Sequence, residues 1–247
     1  MLINNKGCEK VNIGNEKHKK KSSAKFARRV VLGRYELVAL ATFANLIIMD
    51  GEILRNIAAY QMLYASYNTD IGLFDGKMGI AIFFFHYARY SGLSVYEKFA
   101  NELLDDVCEE VSMQMPITLG DGLCGIAWGI TYLHKQGFIE GKLDEILSEI
   151  DEMIMERSLL RIMDPSWKTG FRGIALYISE RLALSSGNEP PFDKAYIEDF
   201  KKLCSLHELV LFEDAWDIIL AVMQNSGSAF IRQEERWQEG LKYMCRI

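Results

Sequence analysis

Three gapless copies of one short segment constrain this chain more than any other feature. They are Asp75-Gly76-Lys77-Met78-Gly79-Ile80-Ala81, Asp121-Gly122-Leu123-Cys124-Gly125-Ile126-Ala127 and Thr169-Gly170-Phe171-Arg172-Gly173-Ile174-Ala175. Their leading glycines stand 46 residues apart (122 minus 76) and then 48 (170 minus 122). A near-constant period of this size predicts stacked supersecondary units rather than a single unrepeated core. Asp75, Asp121 and Thr169 are residue types that accept from the orphan amides of a first helical turn, so each copy is expected to open a helix with that side chain as N-cap. The paired glycines Gly76/Gly79, Gly122/Gly125 and Gly170/Gly173 lie three apart, on one helix face. Each costs about 1 kcal/mol of helix stability against Ala. A cost repeated at the same place in every unit points to a close backbone approach that only glycine permits.

The residues after each copy alternate in character. Gly79–Tyr90 (GIAIFFFHYARY) and Gly125–Leu133 (GIAWGITYL) are apolar almost all round, the pattern of helices buried on every side. The segments after them are amphipathic. Val95, Phe99, Leu103, Val107 and Val111 form one stripe, Leu143, Ile146, Leu147, Ile150 and Ile154 a second, and Tyr196, Ile197, Phe200 and Leu203 a shorter third. One buried and one half-exposed helix per unit predicts an all-α protein, an α/α toroid or partial toroid of about five helix hairpins. Pro116 and Pro165 suit the returns from outer to inner helix, and Asn188-Glu189-Pro190-Pro191 the third turn outward. Arg34–Met49, Ile53–Tyr67 and Glu213–Leu220 read as degenerate flanking units, as repeat arrays carry at their ends. The expected organisation is a flexible basic arm over 1–28 and a single α/α repeat domain over 29–247.

A net charge of -6 argues against nucleic-acid binding. The one basic run, Lys17–Arg29, suits a solvated arm or contact with an acidic partner such as an anionic leader peptide. Leu37–Met49 is too short to span a bilayer, and the first thirty residues lack the apolar core of a secretory signal. The expectation is a cytoplasmic protein with no membrane span. Cys8, Cys108, Cys124, Cys204 and Cys245 have no short paired spacing, so neither a disulfide framework nor a zinc knuckle is expected.

Gly72-Leu73-Phe74-Asp75-Gly76-Lys77-Met78-Gly79 and Ser166-Trp167-Lys168-Thr169-Gly170-Phe171-Arg172-Gly173 resemble, respectively, the GLxxGxxG repeat and the zinc-bearing S-W-C-Y-G-x-P-G segment of the lanthionine synthetase C-like family. The resemblance covers Gly72 to about Gly187. It implies an α/α toroid and, for active members, zinc-assisted addition of a peptide cysteine thiolate to a dehydrated Ser or Thr. The departures are specific. Where the family has a zinc-binding cysteine, two residues before the first glycine, this chain has Lys168. The Cys-His-Gly segment that supplies two further ligands has no counterpart, since no Cys-His pair exists here. Active members have about seven helix pairs, and this chain has room for about five. A thiol-activating zinc needs three protein ligands and an open position, which the family positions here do not supply, so no metal site and no cofactor is expected.

Other residues carry weaker chemical signals. Asp75 and Asp121 occupy equivalent positions and form either helix caps or a carboxylate pair for acid and base work, as in glycoside hydrolases on α/α barrels. His86, among Phe83, Phe84, Phe85 and Tyr87, is a core histidine or a base lining a pocket. Trp128, Trp167, Lys168 and Arg172 are candidate substrate-binding residues, with Lys77 beside them; aromatic packing and simple solvation are the alternatives. Cys124 suits a small core residue, and His134 a helix C-terminus; His18 and His207 show no partner in the sequence. The expected function is a lanthionine synthetase C-like protein without the catalytic zinc, a peptide-binding or accessory component in the modification of ribosomally made peptides. Its partner would be the peptide substrate or a modification enzyme, and it is not expected to be a zinc-dependent lanthionine cyclase. The competing expectations are a hydrolase or binding protein for carbohydrate using Asp75 and Asp121, and an oligomeric scaffold, in which copies of the chain associate.

Overall fold

The structure is a computed structural model that describes residues 51–185, 190–207, 219, 222 and 235–244. The chain divides into Met1–Gly51 and Glu52–Ile247, and the helices named below all belong to the second unit. The basic arm, Arg34–Met49 and, apart from the buried Ile219, the segment Glu213–Leu220 lie outside the described residues.

The described residues are helical, with no strand among them. Helix α1 takes in residues 52–65. After it come α2 (Lys77–Ser91), α3 (Ser94–Glu110), α4 (Leu123–Lys135), α5 (Leu143–Ile146), α6 (Ser148–Met155), a 3-10 turn at Leu159–Arg161, α7 (Phe171–Leu184), α8 (Lys194–Leu206) and α9 (Trp237–Met244). The fold is the alternating α/α repeat that the sequence pattern implies. Helices α2, α4 and α7 form an inner row, each packed on the next, while α3 and α6 back onto α2 and α4 from outside.

The inner helices are buried as their all-apolar composition requires. Residues 77–85 of α2, 123–133 of α4 and 173–178 of α7 are all buried. Complete burial of a Phe such as Phe83, Phe84 or Phe85, at 0–1% exposed, contributes about 1.5–3 kcal/mol each. Three stripes of α2 meet three neighbours. Met78 and His86 face α4, Met78 lying against Gly129 and His86 bonding Tyr132. Phe84 meets Tyr96 and Phe99 of α3. Gly79 and Phe83 lie against Trp237 and Gly240 of α9.

The outer stripes differ in detail from the sequence reading. On α3 the buried positions are Ala100, Leu103 and Val107, with Phe99 packed beside them, whereas Val95 is 53% exposed. In the first turn of α3 it is Tyr96, packed on Phe84 and Tyr87, that faces α2 rather than Val95, after a tight two-residue turn that joins Ser91 to Ser94. That turn depends on Gly92, whose φ of 70° closes α2 with its N–H on the Ala88 carbonyl at 2.8 Å. The second outer stripe is interrupted at Leu147 between α5 and α6, and Ile146 is 40% exposed there.

A buried polar cluster joins α7 to the preceding outer pair. Arg181, 1% exposed, donates from Nε to Asp151 at 2.8 Å and from a terminal nitrogen to Asp144 at 2.7 Å. Tyr177 donates its hydroxyl to the other Asp151 oxygen. Burial raises the Asp151 carboxyl above its ordinary range, against the opposing pull of Tyr177 and Arg181.

Candidate functional site

The three repeat segments build one rim at the N-terminal ends of the inner helices, and they do so by backbone. The N-caps are Gly76, Gly122 and Gly170, with no side-chain cap bond, so Asp75, Asp121 and Thr169 are not the caps that their residue types suggested. Instead the first helical N–H, at Lys77, Leu123 and Phe171, donates to a carbonyl of the preceding loop, at Asp70 (2.8 Å), Pro116 (2.9 Å) and Asp164 (2.8 Å). The loop folds back tightly enough to satisfy an orphan amide that a side chain would otherwise take. This explains both glycines. A Cβ at Gly76, Gly122 or Gly170 would strike the returning loop backbone. One at Gly79, Gly125 or Gly173 would strike the carbonyl of Leu73, Leu119 or Trp167.

Each loop is also tied to the next repeat. The Phe74 N–H donates to the Gly120 carbonyl at 3.0 Å, and the Gly120 N–H donates to the Lys168 carbonyl at 2.9 Å. All three residues stand two places before their repeat's first glycine. The residue before each packs across in the same direction: Leu73 lies against Gly125, and Leu119 against Gly173.

On this rim Lys168 reaches across the middle repeat. Its Nζ pairs with Asp75 Oδ2 at 3.0 Å and lies 5.8 Å from the centre of the Phe74 ring. Its aliphatic stem passes over Gly120, where a Cβ would be 2.6 Å from Lys168 Cγ. Asp70 and Asp121 complete the surroundings. Burial raises the Asp70 carboxyl above the usual carboxylate range; the Gly72 amide opposes that, Asp121 and Asp75 reinforce it, and Lys168 opposes it. Asp121 is exposed and accepts from the Thr118 hydroxyl at 2.6 Å. Asp70 and Asp164 each turn their loop by accepting an N–H two residues on, at Gly72 (2.7 Å) and Ser166 (2.8 Å).

The structure gathers some of the sequence candidates and separates others. Asp75 and Lys168 meet, and Asp121 belongs to the same rim. Arg172 is exposed on the first turn of α7, and Trp167 is half-buried against the core. Trp128 is 3% exposed and stacked on Tyr132, within the core rather than on an open wall. Lys77, expected beside the rim, turns the other way: its buried ammonium pairs with Asp106 (2.7 Å) and Glu110 (3.2 Å) of α3. His86 bonds Tyr132 through Nε2 at 2.8 Å, and burial, with Arg89 adding, depresses its pKa to about 4. Cys124 is buried, which drives its thiol well above the ordinary range and makes it a poor nucleophile. His134 lies against the Gly141 carbonyl at 3.0 Å, and the His207 ring 5.4 Å from Phe171. Asp70, Phe74 and Gly120 carry no chemical signature in the sequence; only their common offset from the repeat glycines could have marked Phe74 and Gly120.

These residues do not fit a thiol-activating zinc. The position of the family's cysteine holds an ammonium committed to a carboxylate, and the equivalent positions Phe74 and Gly120 offer no donor side chain. Among the described residues no group of three or more His, Cys, Asp or Glu side chains is placed to hold a metal ion. Nor is any helix among them long and apolar enough to cross a membrane.

No curated protein and no solved structure matches the chain. A family profile does, over residues 67–208, and its description is "Lanthionine synthetase C-like protein". That span takes in all three glycine repeats, the rim they build and more than half of the chain, so this protein belongs to the lanthionine synthetase C-like family.

Proposed function

We propose that this protein is a binding component in the maturation of ribosomally made peptides, holding a peptide substrate or its modification enzyme without performing zinc-dependent thioether closure. One observation carries the reading. The repeat rim of the family is intact, but the position of the ligand cysteine is Lys168, whose ammonium is spent on Asp75 across Gly120. An amine paired in this way neither binds zinc nor activates a thiol, whereas a rim bearing Asp70, Asp75, Asp121 and Lys168 retains hydrogen-bonding and charged groups suited to a peptide backbone and its side chains. Asp75 and Asp121 each have their own partner, which supports recognition over a carboxylate acid–base pair.

The test is calorimetric titration of the purified protein with a leader-bearing precursor peptide containing dehydrated Ser and Thr, with and without a zinc chelator. The expected result is saturable binding that the chelator leaves unchanged, with no new thioether in the recovered peptide by mass spectrometry. Absence of binding both to this peptide and, in a parallel titration, to the enzyme that dehydrates it would overturn the proposal, as would thioether formation that stops when zinc is removed.

A further inference from the structure

We propose that Trp237-Gln238-Glu239-Gly240 is another copy of the segment that opens each repeat, rewound as a helix, and that it positions the first repeat's rim for the Asp75–Lys168 pair. Aligned on their glycines, the segments read Leu73-Phe74-Asp75-Gly76, Leu119-Gly120-Asp121-Gly122, Trp167-Lys168-Thr169-Gly170 and Trp237-Gln238-Glu239-Gly240. Each has a large apolar residue first, an acid or Thr third and Gly fourth. The fourth segment departs at the second glycine, where Tyr243 stands in register with Gly79, Gly125 and Gly173. In the other repeats a Cβ at that position would strike the folded-back loop. A tyrosine therefore forbids the loop, and Trp237–Met244 is helical instead.

The neighbour relations survive the change of backbone. Trp237 lies against Gly79, as Leu73 lies against Gly125 and Leu119 against Gly173. Gln238, 3% exposed, donates from Nε2 to the Phe74 carbonyl at 2.8 Å. In the other units that job belongs to a backbone N–H at the same offset, from Phe74 to Gly120 and from Gly120 to Lys168. The side-chain amide thus begins the row that ends at Lys168. Gly240 completes the seat, because a Cβ there would be within 3.0 Å of the Phe83 ring. Two contacts, one apolar and one polar, are each reproduced at the offset from the glycine that they have in the other repeats, which a chance packing of a helix does not predict. Trp237 and Gln238 are therefore positioning residues: they hold Phe74, and with it the adjoining Asp75, under the ammonium of Lys168. This assignment does not depend on what the rim binds.

The experiment uses the full-length protein and three variants. Gln238→Leu keeps the size and removes the donor. Gln238→Glu donates only when its carboxyl is protonated. Trp237→Phe keeps an aromatic ring on Gly79. The readouts are amide hydrogen exchange at Phe74 and Gly120, and trace labelling of the Lys168 amine relative to other lysines. In Gln238→Leu both should rise about five- to tenfold, the scale of one lost hydrogen bond, with exchange at Ile130 in α4 and Ile178 in α7 unchanged. Gln238→Glu should match wild type at acidic pH and Gln238→Leu at neutral pH, after correction for intrinsic rates. Trp237→Phe should stay near wild type. Unchanged Phe74, Gly120 and Lys168 in Gln238→Leu would overturn the proposal. So would an equal rise at Ile130 and Ile178, which would mean general loosening rather than positioning; in that case Gln238→Glu, too, would lose its pH dependence at Lys168.

Discussion

Replacing Gly125 by Ala sets two effects of opposite sign against each other. Within a helix, Ala is favoured over Gly by about 1 kcal/mol, so propensity alone predicts a more stable protein. The tertiary structure predicts the reverse. The new Cβ would lie well inside 3.0 Å of the Leu119 carbonyl oxygen and 2.9 Å from its carbon. That carbonyl belongs to a loop held at both ends, by the Leu123 N–H on Pro116 (2.9 Å) and by the Leu73 and Phe74 N–H groups on Gly120 (2.8 and 3.0 Å). Backing the loop away costs about 1–3 kcal/mol as overpacking and loosens one or two hydrogen bonds worth about 1 kcal/mol each. Offset by the propensity gain of about 1 kcal/mol, the net loss is about 1–4 kcal/mol, which lowers Tm by about 2–16 °C for a chain of this size. Gly129→Ala, in the same helix, is the control. The three atoms nearest its Cβ all belong to the side chain of Met78, with Cε foremost, Cγ at 2.8 Å and Sδ at 3.3 Å, and none is backbone. A flexible methionine yields, so this variant should stay within about 1 kcal/mol of wild type. Urea and thermal unfolding followed by circular dichroism measure both. If Gly125→Ala proves as stable as Gly129→Ala, the loop carbonyl is not what requires glycine there, and a close backbone approach does not account for the repeat.

Two further outcomes concern the buried polar groups. Arg181→Met should lose about 3–5 kcal/mol in urea unfolding because it leaves the Asp151 charge buried and unpaired, and adding Asp151→Asn should recover most of that loss; a single variant as stable as the double would refute the pairing. His86 has its folded pKa lowered from 6.5 to about 4 by burial, with Arg89 adding, so across that interval the unfolded chain binds a proton that the folded one does not. Stability should therefore fall as the pH drops from 6.5 toward 4 and level off below, and His86→Gln should flatten that part of the profile; an unaltered slope in the variant would assign the loss to other groups.

Much of the architecture was legible because glycine is costly in a helix and apolar periodicity is easy to detect. Three recurrences of Gly-x-x-Gly-Ile-Ala located the starts of α2, α4 and α7 to within two residues. The apolar runs after them identified the buried inner row, and the stripes through Leu103, Val107, Ile150, Ile154, Phe200 and Leu203 the outer one. What capped the helices was not legible. Asp, Thr and Ser cap helices often enough that Asp75, Asp121 and Thr169 looked sufficient, yet a folded-back loop reached the orphan amides first. Composition gave no hint of this, because the loop acts through its backbone. The repeat-like segment at Trp237 is hard to read from the sequence for a related reason: Tyr243 takes the second glycine's place, and the most recognisable part of the pattern is gone.

The residue types alone determined an all-α repeat and the presence of Lys168 where the family carries a cysteine, since periodicity and identity are properties of the string. Only the tertiary structure decided what Lys168 does. Its partner Asp75 is 93 residues away in the chain, and the two meet because the loops of successive repeats are joined backbone to backbone and the residue between them, Gly120, has no side chain to stand in the way. A contact that depends on the register of three loops is written in no single stretch of sequence; it exists once the inner helices have packed.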